Sequence, residues 1–333
     1  MYHLFGGVLS LQRLKILSVL LLLPAGLAQG IEPFPADANQ VSIGQQLPGR
    51  FEASGIAWHS GRREFFVVSD CGMLCNMTEA GQLLQCWDTG KDLEAVTVAD
   101  QQSDDVYLGV EHPDSVCEFN IKTGRITRTF DLTPWMDGPE NSGLEALAFV
   151  PQAGDPEGGL FYAGLQDTGQ IFVFRLPIIS GGVSAAVTHT GTISSVNGVR
   201  DISDLCYVPS QRALYAIYDK PDLLRLMETD GTILGQWRLP GRDQEGIAVK
   251  GDQLFICEDY GGSSGGNIFR YAPFAVLPQP DLDADGVVDM QDLAVLAEYW
   301  AAWQPAGMPD VNGDGFFDLE GFARICGAWL AGK

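Results

Sequence analysis

The sequence predicts an all-β fold, a five-bladed β-propeller closed by its own N-terminal strand, followed by a small α-helical domain. Three observations carry this reading. A short strand motif recurs five times through the middle of the chain, a second strand ending in a polar residue follows each copy, and the composition turns aspartate-rich beyond Pro280.

The recurring motif is a polar start followed by a buried strand: Ser54-Gly55-Ile56-Ala57, Leu93-Glu94-Ala95-Val96, Leu144-Glu145-Ala146-Leu147-Ala148, Ile202-Ser203-Asp204-Leu205 and Gln244-Glu245-Gly246-Ile247-Ala248. Spacings of roughly 40 to 58 residues are those of propeller blades or solenoid units. After each copy comes a turn and a β-branched or aromatic run ending in a polar, usually acidic, residue: Phe65 to Asp70, Val106 to Glu111, Leu160 to Gln166, Leu214 to Asp219 and Leu254 to Glu258. Each run reads as a strand antiparallel to the first. Two weaker strands complete each unit, as in Val116 to Ile121 and Arg125 to Asp131, joined by Lys122-Thr123-Gly124. The same turn returns as Glu79-Ala80-Gly81 and Thr229-Asp230-Gly231, with glycine for the positive φ. Four strands per repeat without a helical period select a propeller over a helical solenoid. The fifth unit has only three strands, and an orphan strand, Gln40 to Leu47, precedes the first. That strand is expected to complete the last blade, so that no sheet edge is left free.

A chain of 333 residues can bury a large core and hold two domains. At the N-terminus, Arg13 and Lys15 precede the apolar run Ile16 to Ala28, which is short for a bilayer span and ends in small residues. Residues 1–28 therefore read as a cleaved secretory signal, an uncleaved anchor being the alternative, and the mature chain is expected to be secreted or cell-surface with no stable membrane span. Loss of the signal takes the net charge from −23 to −25. Such acidity excludes nucleic acid as a partner class and suits divalent cations, although a solvated acidic surface has the same composition. Seven cysteines leave at least one unpaired in an oxidising compartment. Cys71 and Cys75 flank a turn, which would bring them into bridging range, while Cys206 and Cys257 read as small buried hydrophobes.

The propeller is assigned to residues 40–272 and a proline-rich linker to 273–280. Beyond it, Asp281, Asp283, Asp285, Asp289 and Asp292 occupy positions 1, 3, 5, 9 and 12 of a loop with Gly286 at position 6. This is the spacing of a Ca2+ loop, in which the carbonyl of Val287 supplies the seventh position. A second loop offers Asp310, Asn312, Asp314, Phe316 through its carbonyl, and Asp318, but Gly321 stands at position 12, so weaker binding is expected. Apolar helices over Leu293 to Trp300 and Phe322 to Leu330 would pack together, and so small a unit should depend on its metal.

On these residues, 281–330 resembles a type I dockerin, an EF-hand-like loop-helix repeat pair. The resemblance implies docking onto a cohesin-like or surface protein and an association with polysaccharide-degrading systems. Met290-Gln291 and Leu319-Glu320 depart from the polar pair that dockerins commonly carry at loop positions 10 and 11. The five strand starts, over about residues 40–272, resemble the SdiA-regulated proteins and the related esterase-like phytase domains. That resemblance implies a calcium-linked propeller of five or six blades, and the strand count favours five.

An antiparallel hairpin puts the start of strand one beside the end of strand two. Asp70, Glu94, Glu111, Glu145, Asp204, Asp219, Glu245 and Glu258 are therefore expected to ring one mouth of the central channel. Like charges so gathered raise one another's pKa unless a cation neutralises them. Ca2+ is one answer; the other is that the acids accept backbone hydrogen bonds and join blades. Glu111, His112 and Lys220 are candidates for catalytic roles at that mouth. Three functions remain: a secreted calcium-binding propeller that recognises a ligand or partner, a calcium-dependent phosphoesterase resembling phytases, and a component of a polysaccharide-degrading assembly.

Overall fold

The structure is a computed structural model that describes residues 31–274, apart from 37, 137, 140, 182–185 and 260–266. The expected signal segment, the expected linker from residue 275 on and the whole of 281–330 lie outside the described residues.

The chain begins with β1 (Glu32–Pro33) and β2 (Asn39–Ser42), and then builds blades. The first contains β3 (Ala53–His59), β4 (Glu64–Ser69), β5 (Met73–Thr78) and β6 (Leu83–Asp88); the second contains β7 (Leu93–Thr97), β8 (Asp105–Val110), β9 (Ser115–Asn120) and β10 (Arg125–Asp131). The third is β11 (Leu144–Pro151), β12 (Gly159–Leu165), β13 (Gln170–Arg175) and β14 (Thr188–Ile193), and the fourth is β15 (Ile202–Val208), β16 (Ala213–Tyr218), β17 (Leu223–Glu228) and β18 (Ile233–Arg238). The last has β19 (Gln244–Lys250), β20 (Gln253–Glu258) and β21 (Asn267–Ala272), and its outer strand is β2. The five sheets are the five expected blades. The N-terminal strand closes the ring as the sequence predicts, though over Asn39–Ser42 rather than as far as Leu47. Ile43 and Leu47 continue from it into the core.

Hairpin chemistry follows the expected pattern. Gly81, Gly124 and Gly231 hold φ of 84°, 64° and 92°, a region open to glycine at little cost. One element was not legible: β1 pairs in parallel with β18, outside the fourth blade, and delivers Phe34 onto Tyr271 and Phe274, with ring centroids 5.1 and 5.5 Å away.

The core consists of apolar layers between neighbouring blades. Phe66, Leu74, Leu108 and Phe119 fill the gap between the first and second blades. Phe65 meets Phe255 at 4.4 Å across the closing interface, where Ile43 and Phe51 join them. The closing layer thus has the same aromatic and aliphatic makeup as the internal ones.

Inner strands β3, β7, β11, β15 and β19 pack in sequence around the axis, and β19 returns to β3. They approach so closely that their third residues must be small. A Cβ on Gly55 would stand 2.8 Å from the Glu94 carbonyl, and one on Gly246 would stand 3.0 Å from the Gly55 Cα. Ala95 and Ala146 occupy the same position; Asp204 is the exception. The cysteine expectation is corrected: the disulfide joins Cys75 to Cys86, which face each other in register on β5 and β6. Cys71 precedes the strand, exposed and free.

Candidate metal centre at the acidic mouth

Every inner strand begins with the same irregularity. The register against the second strand slips between the first and third residues of β3, β7, β11, β15 and β19, leaving Ser54, Glu94, Glu145, Ser203 and Glu245 as the bulged residues. A bulge re-aims its side chain out of the ladder, and here three of the five are glutamates. In four blades the residue before the inner strand accepts, through its carbonyl, the amide that follows the second strand: Glu111 N–H to Asp92 at 3.1 Å, Gln166 to Gly143 at 2.9 Å, Asp219 to Asp201 at 3.0 Å and Asp259 to Asp243 at 2.8 Å; in the first blade the Asp70 N–H goes to the Ser54 hydroxyl at 3.1 Å. Strand starts and strand ends therefore share one mouth, and Asp70, Asp92, Asp201, Asp243 and Asp259 gather there with the bulged glutamates.

On the second blade, at the start of β7 and the end of β8, carboxylate oxygens of Asp92, Glu94 and Glu111 all lie within 4.8 Å of one another. Burial and the charges of Asp92, Glu111, Asp70 and Glu245 push Glu94 up to about 8. Burial and the charges of Asp219, Asp259, Asp201 and Asp243 do the same to Glu245. Glu145, buried beside Glu94 and Glu245, is driven well above the usual carboxylate range, and its hydrogen bond to Glu94 requires a proton between them. Glu111 is raised by burial against two opposing influences, the Gly143 amide and His112.

Some of these acids also join blades. Glu111 Oε1 accepts the Gly143 N–H at 2.7 Å, Asp114 Oδ1 that of Leu144 at 2.8 Å, and Asp219 Oδ1 that of Gln244 at 3.1 Å. Each bond crosses from the end of one blade's second strand, or the turn after it, to the start of the next blade. The acidic cluster and the blade joints thus share a carboxylate, Glu111 being a member of both. Lys220 is committed to Asp201, with Nζ 2.6 Å from Oδ1 and its own amide 3.0 Å from Oδ2. With Arg200 it lines a cavity of about 550 Å³ beside the ring, where Arg200 lies 3.8 Å from Asp167.

Two expected ring members sit elsewhere. Asp204 follows the bulge, where the other blades carry Gly or Ala, and it points into the axis with 0% exposure. Its carboxylate accepts the N–H of Leu205 at 2.8 Å and of Ile247 at 2.9 Å, and those of Leu147 and Ile56. Burial pushes its pKa well up and these four donors oppose the rise. Glu258 pairs with Gln244 in register, the place held by Val110, Leu165 and Tyr218 in other blades, so the mouth acid of the fifth blade is Asp259. Sequence reasoning also missed Asp92, Asp201 and Asp243, each one residue before its copy of the motif. Aligning the copies on their apolar residue, Ile56, Val96, Leu147, Leu205 and Ile247, would have exposed both the slip at Ser203 and this second row of acids. The loop ligands Asp281 to Asp318 lie outside the described residues.

Residues 186–261, which carry the fourth-blade and fifth-blade inner strands, match the family model described as SdiA-regulated. No curated protein matches the chain. Among solved structures, the crystal structure of Myxococcus xanthus glutaminyl cyclase is similar with a TM-score of 0.48 and 15% sequence identity, covering 72% of this chain and 97% of that one.

Proposed function

We propose that the protein is a secreted propeller whose acidic mouth holds one Ca2+ ion and presents it to an oxygen-rich ligand or partner, while the C-terminal loops bind further Ca2+ and attach the molecule to a cohesin-like or surface protein. The observation that carries the first part is the Asp92, Glu94 and Glu111 cluster. Two oxygens bound to one calcium at about 2.3–2.6 Å lie at most roughly 5 Å apart, and this cluster falls inside that limit. A ligand set of carboxylates alone suits hard cations over zinc or copper. Carboxylates that repel strongly enough to hold protons at neutral pH are relieved when a cation replaces those protons.

The test uses the full-length protein with Asp281→Ala and Asp310→Ala, which silence the loops. Calcium at a hundredfold excess over its Kd should then stabilise the fold by about 2.7 kcal/mol, and adding Asp92→Asn with Glu94→Gln should abolish the gain. A calcium response that survives both mouth substitutions rules the site out. A calcium-dependent phosphoesterase is the second reading, favoured by Lys220 and Arg200 at the cavity beside the ring. Their engagement with Asp201 and Asp167 leaves less cationic charge for a phosphate. Hydrolysis of phytate that depends on calcium and on Lys220 would favour it.

A further inference from the structure

The inner strands end at the opposite mouth, and the chemistry there is reversed. The sixth residue from each inner-strand start is Trp58, Val98, Phe149, Tyr207 or Val249, so the repeat that places acids at one mouth places an apolar, partly aromatic ring at the other. These side chains line a cavity of about 410 Å³ whose wall also includes Ile56, Leu205 and Ile247. The amides of those three residues are three of the four tied to Asp204. The cavity is therefore a cup on the propeller axis, with its inner end braced by the Asp204 network.

The cup is poor in charge. Among the described residues its lining contains no Asp or Glu, and Lys250, the one charged residue there, already has its Nζ 2.8 Å from Glu79 and 5.2 Å from the centroid of Trp58. Cys206 on the wall stays a neutral thiol, because burial pushes it up to about 12. A volume in the roughly 300–1,000 Å³ range, mostly apolar walls and a few polar atoms are the attributes of small-molecule sites. Aromatic side chains at three of the five rim positions offer faces and edges to a flat ring. A charged guest would lose its hydration without gaining a counter-ion.

We propose that this cup binds an uncharged planar aromatic molecule of one or two rings. The site is at the other mouth from the acidic cluster and uses none of its residues, so it stands or falls independently of the calcium reading.

The experiment is amide NMR on the full chain in the presence of chelator, with indole as probe and indole-3-acetate and tryptamine as its charged counterparts. Indole should shift the resonances of Val98, Tyr207 and Val249 saturably, as one site, and both charged probes should bind at least about tenfold more weakly. Val249→Trp, which fills the cup from its rim, should remove the indole response while the melting temperature is kept. If that variant melts well below the parent, Ser210→Trp at the same rim replaces it. Absence of a saturable shift at these residues overturns the proposal, as does equal binding of a charged probe or undiminished binding by a folded, filled variant.

Discussion

At the scale of single residues, the axis is held by one carboxylate. Asp204 receives amides from the first, third, fourth and fifth inner strands, at Ile56, Leu147, Leu205 and Ile247. Asp204→Ala would leave those buried donors without an acceptor, and each buried unsatisfied polar group costs about 1–3 kcal/mol. We expect a loss of several kcal/mol in denaturant unfolding at unchanged m-value; a loss under 1 kcal/mol would show that water takes over the bonds. The mouth glutamates behave differently. Glu94 and Glu245 sit at about 8 when folded and near 4.5 when unfolded, so the folded state binds more protons between those values. Metal-free stability should therefore fall as pH rises from about 4.5 to 8. Melts in chelator should display this decline, and Glu94→Gln with Glu245→Gln should flatten it. With excess calcium the penalty should vanish, because the ion holds the ionised forms. The acidic mouth was legible in the motif itself, but its membership was not. A bulge shifts register by one residue without altering composition, which is why Asp204 and Glu258 read as mouth acids while Asp92, Asp201 and Asp243 go unmarked.

Among elements, the closing strand bears the clearest consequence. β2 covers the edge of β21, and Ile43 and Leu47 follow it into the closing core layer, each 5% exposed. Deleting residues 31–47 removes two buried aliphatic side chains, worth about 1.5–3 kcal/mol each, and leaves an unpaired edge that invites association with other chains. It should lower the melting temperature far more than truncation after Phe274. Equal melting of the two truncated proteins would contradict the closure. The Cys75–Cys86 bridge ties only neighbouring strands of one blade. Its removal with Cys75→Ser and Cys86→Ser should cost roughly 2–4 kcal/mol, read as a shift in denaturation midpoint. Strands with β-branched runs and glycine turns were readable from sequence. β1 was not: two residues ending in proline carry no periodicity, and only its contact with β18 makes it a strand.

Across the whole molecule, the reading implies separate calcium events. Calorimetry on the full chain should resolve a mouth site removed by Asp92→Asn with Glu94→Gln, and a tighter loop site removed by Asp281→Ala or Asp292→Ala. A weaker event from the loop beginning at Asp310 should accompany them. Loss of all binding after substitution of the mouth alone would contradict the independence of the two regions. The five-blade count was accessible because each blade repeats the same apolar strand. The opposed chemistry of the two mouths was not, since it depends on which end of each inner strand a residue occupies.

The exchange of strands at the closing blade also sets an order in time. β2 leaves the ribosome before any of the blades, and its partner β21 is the last strand of the propeller to be made. Four blades have every core strand of their own before β21 exists, yet the circle has no way to shut until translation has passed Ala272. Until that moment the nascent chain is an open arc with one apolar flank uncovered, between β3 and the place β19 and β20 will fill. The final ring is therefore a product of the completed propeller chain, and cannot be reached one blade at a time during synthesis.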